Sequence, residues 1–289
     1  LIMLTFFFVS DLHGVTRHYN KLFDAIAQGK PDAVFLGGDL LPTGIDTLRQ
    51  QDHSIDIFTR NFLAHGFSHL KNTLRDHYPK IYLILGNDDL RAEEPLFVEY
   101  ESEGIWEYIH SKKTYFNHFT IYGYSYVPPT PFQLKDWERY DISRYTDPNC
   151  IPPTEGWRSI HVPKNQIEHA TMDQDIDRIV GSDDLQNAIF LFHSPPYQTN
   201  LDRVSIGKVM FDHAPLDTHV GSIAIRRLIE DGQPLITLHG HIHESPRITG
   251  SWKDRIGRTH LFSAAHDGSE LSLVIFNPEK PDIAERHLL

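Results

Sequence analysis

The stretch from Leu235 to Ser245 constrains this chain more than any other. Apolar and β-branched residues at Leu235, Ile236, Thr237 and Leu238 stop abruptly at His239-Gly240-His241-Ile242-His243. That pattern reads as a buried strand ending at a tight turn. On an extended backbone His241 and His243, two positions apart, project to the same side. Two same-side imidazoles suit a core poorly, because each needs a partner once desolvated. They suit borderline metals well, since imidazole nitrogen is a good ligand for them. Alone, the motif leaves a metal site and satisfied structural histidines both open.

The rest of the chain repeats the arrangement. The run LTFFFV ends in Ser10, Asp11, Leu12 and His13, and DAVFLGG ends in Asp39. KIYLILG ends in Asn87, Asp88 and Asp89, and AIFLF ends in His193. With His241 and His243, five apolar runs therefore deliver aspartate, asparagine or histidine at their ends. Each member alone is ordinary, because an Asp after a strand is usually a helix cap and a lone His usually a satisfied polar group. Of the chain's 19 histidines, His53, His65, His69, His77, His110 and His118 read that way. Five such ends in one chain point to a shared site.

Between the runs lie helical patterns. Tyr19, Leu22, Phe23 and Ile26 form an i, i+3, i+4, i+7 stripe closed by Gly29 and Pro31. Phe58, Phe62, Leu63, Phe67, Leu70 and Leu74 predict a long helix over 54–77, and further helices are expected near 172–180 and 219–230. Alternating strand and helix with polar groups at strand C-termini is the α/β pattern, whose ligands bind at those ends. Residues 105–126 turn to β-type alternation, and 258–265 and 270–276 read as closing strands. The span 127–170, rich in proline and carrying Trp137 and Trp157, is expected to be an ordered lid or insertion within a single domain 1–289.

Composition narrows the function. A formal net charge of −12, with no run of five or six Lys or Arg, argues against a nucleic-acid partner. Cys150 is the one cysteine, which excludes an intrachain disulfide or a cysteine-based metal site and favours a reducing, cytoplasmic setting. The apolar opening LIMLTFFFVS lacks a basic leader and is too short to span a bilayer, so it is expected to be a first strand with no membrane association.

The ordered set DLH, GGD, GNDD, FHSPP and GHIH resembles the calcineurin-like metallophosphoesterases, over roughly residues 4–125 and 185–276. The resemblance implies a four-layer αββα sandwich, with two mixed β-sheets flanked by helices. It implies a binuclear centre in which Asp11, His13 and His243 hold one metal and Asn87, His193 and His241 the other, with Asp39 bridging. The implied function is hydrolysis of phosphate esters by a metal-bridging hydroxide, on a small or nucleotide-like mono- or diester, with Asp39 and Asn87 in the reacting centre. Nitrogen and oxygen ligands without thiolate fit two divalent transition-metal ions such as Mn²⁺, Fe²⁺/Fe³⁺ or Zn²⁺. Two such ions and two carboxylates leave a net positive site that attracts phosphate despite the acidic surface. Asp88 departs from the pattern, standing where the family has a histidine that contacts the scissile phosphate. A protonated Asp88 would donate to the leaving group, whereas one lying beside the metals would leave the chemistry to them. Asp89 is expected to orient a ligand histidine. The family's asparagine-proline-glycine near the last strands is replaced by SAAHDG, where His266 offers an extra polar group. The alternatives are a non-catalytic metal-binding scaffold of the same fold and a nuclease.

Overall fold

The computed structural model describes residues 3–43, 54–205, 210–211, 214–215 and 217–289. In chain order its strands are β1 (Phe6–Val9), β2 (Ala33–Gly37), β3 (Lys80–Ile84), β4 (Glu107–Tyr108), β5 (Lys112–Phe116), β6 (Phe119–Tyr124), β7 (Ala188–Phe192), β8 (Met210–Phe211), β9 (Ala214–Pro215), β10 (Ile236–His239), β11 (Lys253–Ile256), β12 (Thr259–Ser263), β13 (Ser272–Phe276) and β14 (Glu285–Leu288). Two mixed six-stranded sheets result, ordered β14-β13-β1-β2-β3-β4 and β11-β12-β10-β7-β6-β5. Strands β1, β2, β3 and β4 run parallel, and so do β6, β7, β10 and β12.

Strand alternation explains the layers. Phe6 and Phe8 face one way with Phe35, Tyr82, Ile121, Ile189, Leu191, Leu238, Phe262 and Phe276, filling the space between the two sheets. Phe6 alone meets the rings of Phe35, Phe116, Phe119 and Phe276. Phe7 and Val9 face the other way, with Val34 and Leu36, onto Tyr19, Leu22, Ile26 and Phe67 of the covering helices. Both faces of these strands are buried, which is why the sequence shows continuous apolar runs there. On the second sheet Phe190 and Phe192 lie in the outer layer with Ile176, Ile225 and Ile229. The sandwich expected from the resemblance is the observed fold.

Several boundaries differ from expectation for local reasons. The long helix over 54–77 is an α-helix at Ser54–Phe58, a π-helical segment at Thr59–Ala64, an α-helix at His65–Leu74 and a 3₁₀ turn at Arg75–His77. Leu63, Phe67, Leu70 and Leu74 still face the core. The helix expected at 219–230 runs from Ile223 to Gly232, because Ser222 is its cap, accepting from Ile225 N at 3.1 Å. His219 and Gly221 are instead bonded to Asp202. The helix Glu94–Ser102 and the edge strands β11 and β14 were not foreseen, because their apolar periodicity is weak.

The 127–170 stretch is pinned at many points. Asp136 accepts from Arg91 N and Ser159 N, and Asp141 accepts from Ser222 Oγ, Ile223 N and Ala224 N at the start of the helix 223–232. Trp137 is fully buried, with the Arg91 guanidinium 5.2 Å from its ring centre. Among the described residues no helix is long and apolar enough to cross a membrane.

Candidate metal centre

The polar strand ends meet along one edge of the sandwich, where the parallel strands of both sheets deliver their carboxyl ends. From the first sheet come Asp11 and His13 after β1, Asp39 after β2, and Asn87 and Asp88 after β3. From the second come His193 after β7, and His241 and His243 after β10. The loops that carry them are conformationally tight. Asp11, His13, Asp39 and His241 all have positive φ, at 57°, 44°, 53° and 72°. Non-glycine residues rarely adopt that region, and a cluster of them marks a place where surroundings hold the backbone for function.

Two groups of side chains form. In the first, Asp11, His13, Asp39 and His243 offer ligand atoms that all lie within 4.8 Å of one another. His13 Nε2 lies 3.3 Å from His243 Nε2, and His243 Nε2 lies 3.3 Å from Asp11 Oδ1. In the second, His193 Nε2 lies 3.0 Å from Asn87 Oδ1 and 3.3 Å from Asp39 Oδ2, and the His241 ring centre is 5.1 Å from that of His193. Asp39 Oδ2 is also 3.9 Å from His13 Nε2, so this carboxylate touches both groups. All seven sequence-derived ligand candidates are thus brought together.

The glycines in these motifs make room for side chains. A Cβ at Gly86 would overlap Asp39 Oδ1 and come within 2.7 Å of His193 Cε1, and one at Gly240 would sit 2.7 Å from Asp11 Oδ2. The turn at Gly240 also changes the account of the histidines. Strand β10 stops at His239, and Ile242 N donates to Gly240 O across a turn. His241 and His243 therefore reach the site through a bent backbone, and the same-side argument for an extended one does not apply. His239 is structural. Its Nδ1 donates to Ser194 O at 2.9 Å and its Nε2 accepts from Thr237 Oγ1 at 2.7 Å. Burial holds it neutral, with its pKa pushed down to about 3.

Hydrogen bonding tests whether this donor set fits a metal. Gly37 O can only accept, so His193 Nδ1, 2.7 Å away, carries the proton and donates to it. The other nitrogen, Nε2, then turns its lone pair toward Asn87 Oδ1 and Asp39 Oδ2. Three lone-pair atoms converging in a buried place demand a cation, either an added proton or a metal ion. Without metal, protons fill that demand. Burial alone would lower the His193 pKa, but the Asp39 carboxylate raises it to about 9. Burial likewise opposes the rise at His13, yet its hydrogen bond to Asp88 and the charge of Asp39 carry it to about 10. Asp39 is pushed up by burial, but His193 holds it well below the usual carboxylate range. His241 is held neutral, its pKa lowered to about 3 by burial and by the charge on His193. The donor set fits metal coordination, and Asp39 lies between its two groups.

Asp88 and Asp89 take places the sequence did not specify. Asp88 Oδ2 lies 3.3 Å from His13 Nδ1, while its backbone N–H donates to Asp39 Oδ1 at 2.8 Å. Asp89, expected to orient a histidine, instead accepts from Leu40 N, Leu41 N and Gly86 N. Burial and the Asp39 charge raise its pKa to about 7. It ties the loop after β3 to the loop after β2, which no sequence signal indicated.

A cleft of about 220 Å³ opens beside the first group, lined by Asp11, His13 and His243 together with His266, Gly268 and Glu270. His266, flagged by sequence as an extra polar group, therefore faces the same space as the ligand candidates. Among the described residues, no hydrogen bond or ion pair runs from 127–170 to any of the seven.

A family model described as calcineurin-like phosphoesterase matches residues 4–245. Among solved structures, one superposes with a TM-score of 0.61 at 12% identity, covering 99% of both chains. The structure of TT1561 from Thermus thermophilus gives a TM-score of 0.57 at 15% identity, again over 99% of both chains. A dimetal phosphatase from Danio rerio gives 0.52 at 10% identity, covering 95% of this chain and 92% of that one. No curated protein sequence matches the chain.

Proposed function

Since this chain belongs to the calcineurin-like phosphoesterase family, we propose that it hydrolyses small phosphate esters at a centre of two divalent transition-metal ions. The observation that carries this reading is Asp39, a buried carboxylate within 3.3 Å of His193 Nε2 and 3.9 Å of His13 Nε2, so that one side chain serves both halves of the cluster. Asp11, His13 and His243 would hold one ion and Asn87, His193 and His241 the other, with Asp39 shared. When bound, two such ions supply Lewis acidity and lower the pKa of water.

The chain's own groups do the positioning. Gly37 O fixes the His193 tautomer so that Nε2 faces the centre, and Asp88 does the same for His13 through Nδ1. Asp88 is thereby a positioning residue in this reading, and not the donor to the leaving group. Asp11 is fixed from behind by the His241 N–H, 3.0 Å from its Oδ1. The nitrogen–oxygen donor set without sulfur favours Mn²⁺, Fe or Zn²⁺. Among its lining residues the cleft has no Lys or Arg, which supports small substrates over a nucleic-acid backbone. A lid role for 127–170 would act through the loop after β3, where Arg91 and Ala92 are bonded to Asp136 and Ser159.

The test combines metal analysis with turnover. Purified protein reconstituted with Mn²⁺ should carry two equivalents and hydrolyse aryl and alkyl phosphates. Two bound equivalents with no turnover of any mono- or diester across Mn²⁺, Fe²⁺ and Zn²⁺ would favour the scaffold alternative.

A further inference from the structure

An alkyl phosphate releases a strongly basic alkoxide, so its hydrolysis needs a proton donor near the departing oxygen. The family's histidine for that contact is absent here, and Asp88, which replaces it, is turned to His13 Nδ1. The cleft beside the first group offers other titratable side chains. Asp11, His13 and His243 belong to the centre itself. Asp267 is paired with Arg247, and His18 Nε2 is bonded to Ser269 O. His266 remains, its side chain 18% exposed, with Nε2 placed 3.2 Å from Glu270 Oε2.

The loop 264–270 is built around this pair. A Cβ on Gly268 would overlap His266 Nε2 and lie 2.6 Å from Glu270 Oε2, so glycine leaves room for the two side chains as they are placed. The loop is fastened at both ends and from outside. Arg286 donates to Ala265 O, Arg17 donates to Ser269 O, and Arg247 donates to Asp267. A carboxylate that accepts from Nε2–H fixes the ring orientation. It leaves Nδ1, which has no protein partner among the described residues, as the nitrogen free to act in the cleft.

We propose that His266, oriented by Glu270, protonates the alcohol leaving the phosphorus, so that this chain supplies from the loop between β12 and β13 the donor missing after β3. The inference rests on the phosphoesterase reading above. In the step, the bond between phosphorus and the alcohol oxygen breaks and its electron pair stays on that oxygen. The Nδ1 proton of the His266 imidazolium moves to it. The attacking water contributes its oxygen to phosphate, and the proton it releases restores the imidazolium. Glu270 keeps its hydrogen bond to Nε2 throughout and is a positioning residue.

The test uses the full chain reconstituted with Mn²⁺ and two substrates, p-nitrophenyl phosphate and an alkyl phosphate such as glycerol phosphate. His266→Gln should lower kcat on the alkyl ester by about 10²–10⁴-fold, the usual worth of a general acid. It should change the nitrophenyl ester little, because nitrophenolate departs without a proton. Metal content and the affinity for inorganic phosphate measured by calorimetry should stay at the wild-type level. Gly268→Ala, whose Cβ meets the tips of both side chains without touching a ligand candidate, should show the same split in weaker form. Glu270→Ala should remove the hydrogen-bonded Nε2–H signal of His266 from nitrogen-15 ring spectra. Equal losses on both esters, no loss on either, or the split appearing in His18→Gln instead would overturn the assignment while leaving the phosphoesterase reading intact. No turnover of either ester by metal-loaded wild type would overturn that reading itself, and the step with it.

Discussion

Asp88 Oδ2 stands 3.3 Å from Nδ1 of His13, and this contact joins the residue that departs from the family pattern to a ligand candidate on the other side of the centre. A carboxylate on the outer nitrogen of a metal-binding histidine fixes its tautomer and raises its basicity, and removing such a partner typically costs 10–100-fold in affinity, on the order of 1–3 kcal/mol. Asp88→Ala should therefore weaken the ion held by Asp11, His13 and His243 by about 10–100-fold in a chelator competition. Asp88→Asn, whose amide oxygen can still accept from Nδ1, should lose less. Both variants should slow alkyl and nitrophenyl esters in the same proportion. A loss confined to alkyl esters would make Asp88 the proton donor instead.

The position of Asp39 between the two groups gives a sharper stoichiometric expectation. Asp39→Ala should leave fewer than one metal equivalent after dialysis, because both ions lose a shared ligand. His193→Ala should retain about one, since it removes a ligand from the second group alone. Elemental analysis of the two variants side by side decides the point. Two equivalents retained by Asp39→Ala would place the bridge elsewhere.

Much of this was legible because the central strands of both sheets are buried on both faces. The runs before Asp11, Asp39, Asn87, His193 and His241 are continuous and apolar, so their ends were visible as ends, and the ligand candidates sit there. What escaped the sequence were contacts that depend on how loops from different strands meet. Nothing in GNDD says that Asp88 turns to His13 while Asp89 caps the backbone at Leu40 and Leu41. The pairing of His266 with Glu270 had a trace, a glycine between two polar residues, but its position beside Asp11 depends on β13 lying antiparallel to β1. The histidine pair at His241 and His243 reaches the site by a route other than the expected one, since the turn at Gly240 replaces the extended geometry.

His110, which is not one of the ligand candidates, supplies a pH test. Ser125 N donates to its Nδ1 at 3.1 Å, which fixes the proton on Nε2, where Ser111 Oγ lies 3.0 Å away. Burial, with Arg91, Arg139 and Lys112 nearby, lowers its pKa well below the ordinary 6.5. The folded pKa is thus below the unfolded one, so unfolding takes up a proton once the pH drops below 6.5. That contribution to stability is complete above 6.5 and falls by about 1.4 kcal/mol per pH unit below it. Urea titrations between pH 7.5 and 5 should show the loss, and His110→Gln should flatten its slope by about one proton. An unchanged slope in the variant would show that His110 is not the group taking up that proton.

The last prediction concerns the ion pair inside the 127–170 stretch. Lys135 and Glu138 are both fully buried, 2.5 Å apart, with Lys135 Nζ also donating to Thr130 O and Glu138 also accepting from Thr130 N. Desolvation of two charges roughly cancels their attraction, so the pair contributes little net stability, but breaking it strands one charge. Lys135→Met should cost about 3–5 kcal/mol in urea unfolding at pH 8, and adding Glu138→Leu should recover most of that loss. The pH dependence distinguishes this from a packing defect. Burial already raises the Glu138 carboxyl to about 7, against the pull of Lys135. Without that lysine the carboxyl moves further up and enters the folded state protonated at low pH. A folded pKa raised above the unfolded one favours the native state at low pH and loses that benefit as the pH rises. Lys135→Met should therefore be less destabilised, relative to wild type, at pH 5 than at pH 8. Equal destabilisation at both, with no recovery in the double variant, would mean that lost packing accounts for the effect.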